Sequence, residues 1–311
     1  MVVYRELSSI EADLGIPART LYRLSNNIGK HYREKKIPKS DGTVRLLSVP
    51  DEILKKVQRS IAEKLLAYEP VSLYAKAYRI GGSVISNAAP HVGKEKILKL
   101  DIYHFFDSIS YSSVKEKCFP AEKYAEKIRI LLAMLCYHGE SLPQGAPTSP
   151  IISNIILRDF DIEVGRWCSE RKIFYSRYCD DMTFSCDGDF DGAEVTAFVK
   201  QKLGVLGFIL NDRKTRLLKK GDKKTVTGIV VSEKLNASKE YRRTVRAEIH
   251  YCQKFGVEGH LSRTANALAE NPSKYLASLM GKVNYVLQIT PENKEFLEYK
   301  EYLSDIIKEF K

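Results

Sequence analysis

The chain has 311 residues, 44% of them hydrophobic and 29% charged, with a formal net charge of +11, a balance that fits a folded protein whose basic surface attracts polyanions. No apolar run approaches the ~18 residues of a membrane span, and Met1-Val2-Val3-Tyr4-Arg5-Glu6 lacks the apolar stretch of a signal peptide. Cys118, Cys136, Cys168, Cys179, Cys186 and Cys252 follow no paired short spacing, which indicates neither a zinc site nor a disulfide framework and suits free thiols in a reducing cytoplasm.

In chain order, Ser8-Ser9-Ile10-Glu11 has the form of a capping box and predicts a short helix. Pro17 favours the start of a second, so residues 12–21 read like a helix-turn-helix, as a DNA-binding regulator would carry. Residues 32–39 and 43–49 form two basic strands about a Ser40-Asp41-Gly42 turn. A helix is predicted from Asp51 to about Ala67, with Ile53, Val57, Ile61 and Leu65 as its apolar stripe. Residues 97–102 are a short buried strand carrying Asp101 near its end. Residues 122–137 and 150–171 read as helices separated by the Pro/Gly-rich stretch 142–150. Residues 173–185 are β-like with two acids at their centre. Helix, glycine turn and strand lead on to residues 228–231, and from about Ser238 the chain is helical and basic.

The acids Asp180 and Asp181 interrupt an apolar, strand-forming segment, where unpaired charge is costly. Two carboxylates ~4 Å apart repel by roughly 4 kcal/mol at an effective dielectric of 20, and a bound divalent cation reverses that sign. Asp101 is a third candidate ligand if its strand neighbours theirs in one sheet; by itself it reads better as a strand-end acid or helix cap.

Several segments together resemble the reverse transcriptases, and the retron reverse transcriptases in particular. Tyr178-Cys179-Asp180-Asp181 is similar to the family's Tyr-x-Asp-Asp box, and residues 99–107 to the box with the first metal aspartate. Leu142-Pro143-Gln144-Gly145-Ala146-Pro147-Thr148-Ser149-Pro150 resembles the Pro-Gln-Gly segment. Asn87-Ala88-Ala89-Pro90-His91 resembles the retron Asn-Ala-x-x-His element, and Val226-Thr227-Gly228 the Val-Thr-Gly element. Cys179 departs from the Ala of many retron enzymes.

The resemblance implies an α+β right-hand polymerase fold. Residues 1–30 would be an N-terminal helical segment and 31–95 the fingers. The palm would span 96–235, an antiparallel sheet carrying the acids, with an interleaved fingers segment at about 110–150, and 236–311 would be a helical thumb. It implies RNA-directed DNA synthesis primed by a 2′-hydroxyl of the enzyme's own noncoding RNA, yielding branched msDNA within a bacterial anti-phage system. Two Mg2+ ions, or Mn2+ in their place, would sit at Asp101, Ile102, Asp180 and Asp181. The implied partners are that RNA and its msDNA, deoxynucleoside triphosphates, an effector protein and host RNase H, in the bacterial cytoplasm with no membrane. Alternatives are another stand-alone bacterial reverse transcriptase, of group II intron or abortive-infection type, or a non-catalytic nucleic-acid-binding regulator.

Lys39 and Arg45 would meet the incoming triphosphate, Arg45 with its forked, always-charged donor. Phe106 resembles a steric gate against ribonucleotides. Gln144 and Gly145 resemble the residues beside the nucleotide, and Lys214 a lysine near the departing pyrophosphate, catalytic with the three aspartates. Asn87, His91, Tyr178, Val226, Thr227, Gly228, Arg243 and Arg246 are the nucleic-acid-binding candidates. The last two lie on a C-terminal helix whose inner stripe is Tyr241, Val245, Ile249 and Cys252.

Overall fold

The computed structural model describes residues 3–38, 42, 44–263 and 271–309; Lys39 and the turn residues Ser40 and Asp41 lie outside them. The chain divides into two compact units, residues 1–83 with 95–219, and 84–94 with 220–311.

The first unit opens with α1 (Leu7–Leu14), preceded by an extended Glu6 that makes no side-chain cap. The expected capping box does not form. Glu11 instead accepts a hydrogen bond from the backbone N–H of Ala18, the first residue of α2 (Ala18–Asn26). One carboxylate thus satisfies an orphan donor of the next helix. Ile10, Leu14, Leu21 and Leu24 belong to the unit's main core, so this pair packs as part of the unit.

Strands β1 (Tyr32–Pro38) and β2 (Val44–Pro50) pair antiparallel from Tyr32 opposite Pro50 to Pro38 opposite Val44. Asp51 accepts from the Leu54 N–H at 2.9 Å and starts α3 (Glu52–Ile61), which continues as a π-helical stretch Ala62–Leu66. Its buried stripe is Leu54, Val57, Gln58 and Ile61, whereas Ile53 is 51% exposed. Strict four-residue spacing drifts about 40° per step on a helix of 3.6 residues per turn, which carries Ile53 off the face.

The chain then passes through α4 (Val84–Ala88), part of the second unit, and returns as β3 (Lys96–Tyr103). Helix α5 (Tyr111–Cys118), capped by Ser110, was not anticipated; α6 (Glu126–Cys136) begins later than expected. The helix expected over 150–171 is two, α7 (Ser149–Ile156) and α8 (Arg158–Glu170), divided at Leu157 (φ −87°, ψ 3°). Strands β4 (Phe174–Tyr178) and β5 (Asp181–Cys186) form the predicted acid-bearing hairpin. After α9 (Gly192–Val205) come β6 (Ile209–Leu210) and β7 (Arg216–Leu218). The sheet order is β4-β5-β3-β6, with β7 also on β3, and every pairing is antiparallel.

In the second unit, β8 (Thr225–Val226) and β9 (Ile229–Val230) form a tight hairpin, followed by α10 (Lys239–Leu261), α11 (Pro272–Ile289) and α12 (Lys294–Glu309). Helix α10 breaks at Gly256, whose φ of 69° and ψ of 166° are not helical. Val245, Ile249, Leu279, Val283, Phe296 and Leu303 are buried within these helices. Among the described residues no helix is long and apolar enough to cross a membrane, and all six cysteines are free.

Candidate active site

Antiparallel pairing of β3 with β5 sets Asp101 directly opposite Asp181. The β4–β5 hairpin closes with Tyr178 opposite Asp181, leaving Cys179 and Asp180 as its two central residues. Cys179 has φ 60°, the left-handed region that such turns usually give to glycine. The Ile102 N–H donates to the Asp180 carbonyl at 3.1 Å, tying the turn to β3. The three acids therefore meet at one sheet end, as the strand-end position of Asp101 required.

Asp101 is 3% exposed and accepts from Lys214 Nζ at 2.7 Å and Asn211 Nδ2 at 3.0 Å, while its carbonyl accepts from the Asn211 N–H at 2.8 Å. Asn211 was not singled out by sequence, although it stands in the segment that carries Lys214. Burial and the Asp101 charge raise the pKa of Asp180. Burial, then the Asp180 charge, pushes Asp181 up to about 6, against the pull of Lys99. Burial works to lower Lys214, but the hydrogen bond and charge of Asp101 win and raise it. The Cys179 thiol, pushed up to about 12 by burial and then by Asp180, stays protonated and unreactive.

Against the three carboxylates stand Lys214, bonded to Asp101, and Lys99, whose charge acts on Asp181, so the acids outnumber the cations. Among the described residues no group of three or more His, Cys, Asp or Glu side chains is placed to hold a metal ion, so the three aspartates offer a sparse set of carboxylate oxygens. That donor set fits magnesium, which takes one or two protein carboxylates and completes its shell with water and substrate phosphate.

Around the acids, Phe106 is half-buried beside the core residue Phe105, their ring centroids 5.2 Å apart. Gln144 Nε2 lies 3.4 Å from the Asp107 carboxylate, which also bonds His104 Nδ1 at 2.9 Å. Gly145 has φ 128°, and a Cβ there would lie 2.9 Å from the Ser48 carbonyl of β2. Its close backbone approach is therefore to β2. Arg45 is exposed, paired in register with Ile37.

The second unit holds the remaining candidates. Asn87, His91 and Val226 are fully buried. Thr227 (φ 46°) and Gly228 (φ 82°) form the β8–β9 turn, and Thr227 Oγ1 donates to the Val84 carbonyl at 3.2 Å. The two retron-like elements therefore pack on each other. On α10, Val245, Ile249 and Cys252 are the buried stripe, and Tyr241 is only half-buried. Arg243 is exposed, but Arg246 donates through Nε and Nη2 to both oxygens of Glu295 at 2.6 Å.

Sequence reading missed one group entirely. Arg177, wholly buried, donates through Nε and Nη2 to the buried Asp161 of α8 at 2.8 and 2.6 Å. Its only signal was an arginine within an otherwise apolar strand pattern.

The sequence model of the family "Reverse transcriptase (RNA-dependent DNA polymerase)" matches residues 37–251. The chain is 31% identical to the retron Mx65 reverse transcriptase of Myxococcus xanthus, over 95% of this chain and 71% of that one. It is also 31% identical to the retron Ec83 reverse transcriptase of Escherichia coli, over 93% and 92% of the two chains. Among solved structures, a Candida albicans telomerase covers 86% of this chain and 55% of its own, at 13% identity and a TM-score of 0.47, too remote to bear on function. With the acid-bearing antiparallel sheet in place, this chain belongs to the reverse transcriptase family and is an RNA-directed DNA polymerase of the retron type, with the right-hand α+β fold of that family and its use of divalent metal.

Proposed function

We propose that the chain copies part of its own noncoding RNA into DNA at Asp101, Asp180 and Asp181, starting from a ribose 2′-hydroxyl and leaving a branched RNA–DNA product, as one part of an anti-phage system. The observation that carries this reading is the register of Asp101 opposite Asp181, with Lys214 on the Asp101 carboxylate. The three aspartates, with Ile102 beside them, would hold two Mg2+ ions. When bound, such ions lower the pKa of an attacking hydroxyl and offset charge on a departing pyrophosphate.

The protein's own groups supply the rest. Lys214 neutralises Asp101 at rest and, once displaced from it, donates to the departing phosphate. Phe106 closes the space beneath the sugar, Gln144 borders the nucleotide, and Arg45, with Lys39, meets the triphosphate. Tyr178 flanks the primer end. Exposed Arg243 follows RNA phosphates, whereas Asn87, His91, Val226, Thr227 and Gly228 act as a scaffold for that RNA-facing unit. Residues 31–95 are assigned to fingers, 96–235 to palm and 236–311 to thumb. A cytoplasmic protein with an effector partner and host RNase H for template removal completes the proposal.

Sequencing the nucleic acid that co-purifies with the protein tests the substrate, and should return one structured RNA joined to DNA at an internal nucleotide. Asp180→Ala or Asp181→Ala should lower DNA synthesis on that RNA by about 1,000-fold, since each removes several kcal/mol of charge stabilisation. Undiminished synthesis in both variants would refute the site.

A further inference from the structure

Among the described residues, Arg177 has the largest fully buried side chain. Its guanidinium is held by directed bonds: Nε and Nη2 grip the two oxygens of Asp161, and Nη1 donates to the Cys179 carbonyl at 2.9 Å. Asp161 also accepts from the Tyr175 hydroxyl at 2.8 Å. The backbone of Arg177 is pinned as well, its N–H donating to the Tyr74 carbonyl at 2.9 Å and its carbonyl accepting from the Lys76 N–H at 2.7 Å. Tyr74 lies against α8 because position 165 is glycine; a Cβ there would lie 2.1 Å from the Tyr74 ring.

A buried ion pair is a poor way to gain stability, because desolvation offsets most of the attraction and apolar residues of similar volume do as well. What this pair adds is reach. The Cys179 carbonyl belongs to the peptide plane before Asp180, and the Asp180 carbonyl, held by the Ile102 N–H at 3.1 Å, belongs to the plane after it. The two planes flanking Asp180 are therefore clamped from opposite strands, and the left-handed Cys179 is held by a charge-assisted bond in place of a glycine.

We infer that Arg177, braced by Asp161 and Tyr175, is a positioning residue that aims the Asp180 carboxylate. The inference rests on the proposed role of Asp180 and concerns how that carboxylate is held. A residue serving stability alone would change the folded fraction and leave each folded molecule as active as before.

The test uses the full-length protein on its co-purified RNA, with rates normalised to folded protein, and measures Mn2+ binding separately by thermal shift without nucleotide. Arg177→Lys keeps the charge but cannot span Asp161 and the Cys179 carbonyl. It should lower kcat by about 10–100-fold with KM for the deoxynucleotide within about twofold, and should raise the Mn2+ concentration for half-maximal stabilisation. Tyr175→Phe, which removes one brace and keeps the volume, should move both readouts the same way by about 2–5-fold, and serves if Arg177→Lys does not fold. Adding Cys179→Gly to Arg177→Lys should recover several-fold of the lost kcat, because glycine adopts the turn without the clamp. Unchanged kcat and Mn2+ midpoint per folded molecule in Tyr175→Phe and Arg177→Lys would overturn the inference. Asp180→Ala, run alongside, separates the two readings: if it still synthesises DNA, the site assignment falls first and this inference with it.

Discussion

Two charged assemblies sit a few residues apart on the β4–β5 hairpin and are built on opposite principles. Arg177 and Asp161 are matched one to one, wholly buried, with a tyrosine hydroxyl and a backbone carbonyl completing their bonds. Asp101, Asp180 and Asp181 are three acids against two lysines, Lys214, whose side chain is 60% exposed, and Lys99. Balanced charge in a dry site holds a shape. Unbalanced charge at a sheet end favours a cation, which would relieve the like-charge strain.

The sharpest way to break this contrast is to unbalance the balanced pair. Arg177→Met should cost about 3–5 kcal/mol in urea denaturation by leaving Asp161 buried and unpaired, and Arg177→Met with Asp161→Leu should recover most of that loss. A single-variant loss of less than about 1 kcal/mol would mean that water reaches the pair. At the unbalanced site, Lys214→Ala should lower kcat by about 10–100-fold and cost less metal-free stability than Arg177→Met, since Lys214 is largely exposed and Asn211 still donates to Asp101.

A smaller effect comes from pH. The Asp181 pKa of about 6 lies above its ordinary value of 3.8. Between those two pH values the native protein holds a proton that the unfolded chain has released, so metal-free stability falls as pH rises through that window. The drop should be at most about 3 kcal/mol, absent in Asp181→Asn and suppressed by Mg2+. A flat metal-free profile would show that the acids are fully solvated. The smallest effect carries the same distinction to α10. Arg243→Ala should reduce the salt slope of RNA binding by about 1, and Arg246→Ala, already neutralised by Glu295, by less. Equal slopes for the two would remove the contrast.

The acids were legible in the sequence because their chemistry leaves a local mark: charge placed inside apolar strand patterns, at a turn and near a strand end. The retron-like elements were legible as short runs, but their packing against each other was not, since Asn87 and Thr227 are distant in the chain. Helix α5 escaped notice because only Val114 and Cys118 of its residues are buried, too few to print a period. Arg177 escaped for another reason. Its partner Asp161 stands on α8 beside Asp159 and Glu163, where it reads as one more solvated acid.

Sequence alone determined the residue types that the chemistry needs and the order of the elements that carry them, because strand alternation, helix period and turn-forming residues are local properties. Tertiary structure alone decided which carboxylate is paired and which is left in excess. Asp161 and Asp180 are the same residue type, and only their surroundings, a guanidinium in a buried core for one and two other acids at a sheet end for the other, make the first part of the frame and leave the second in an excess of negative charge.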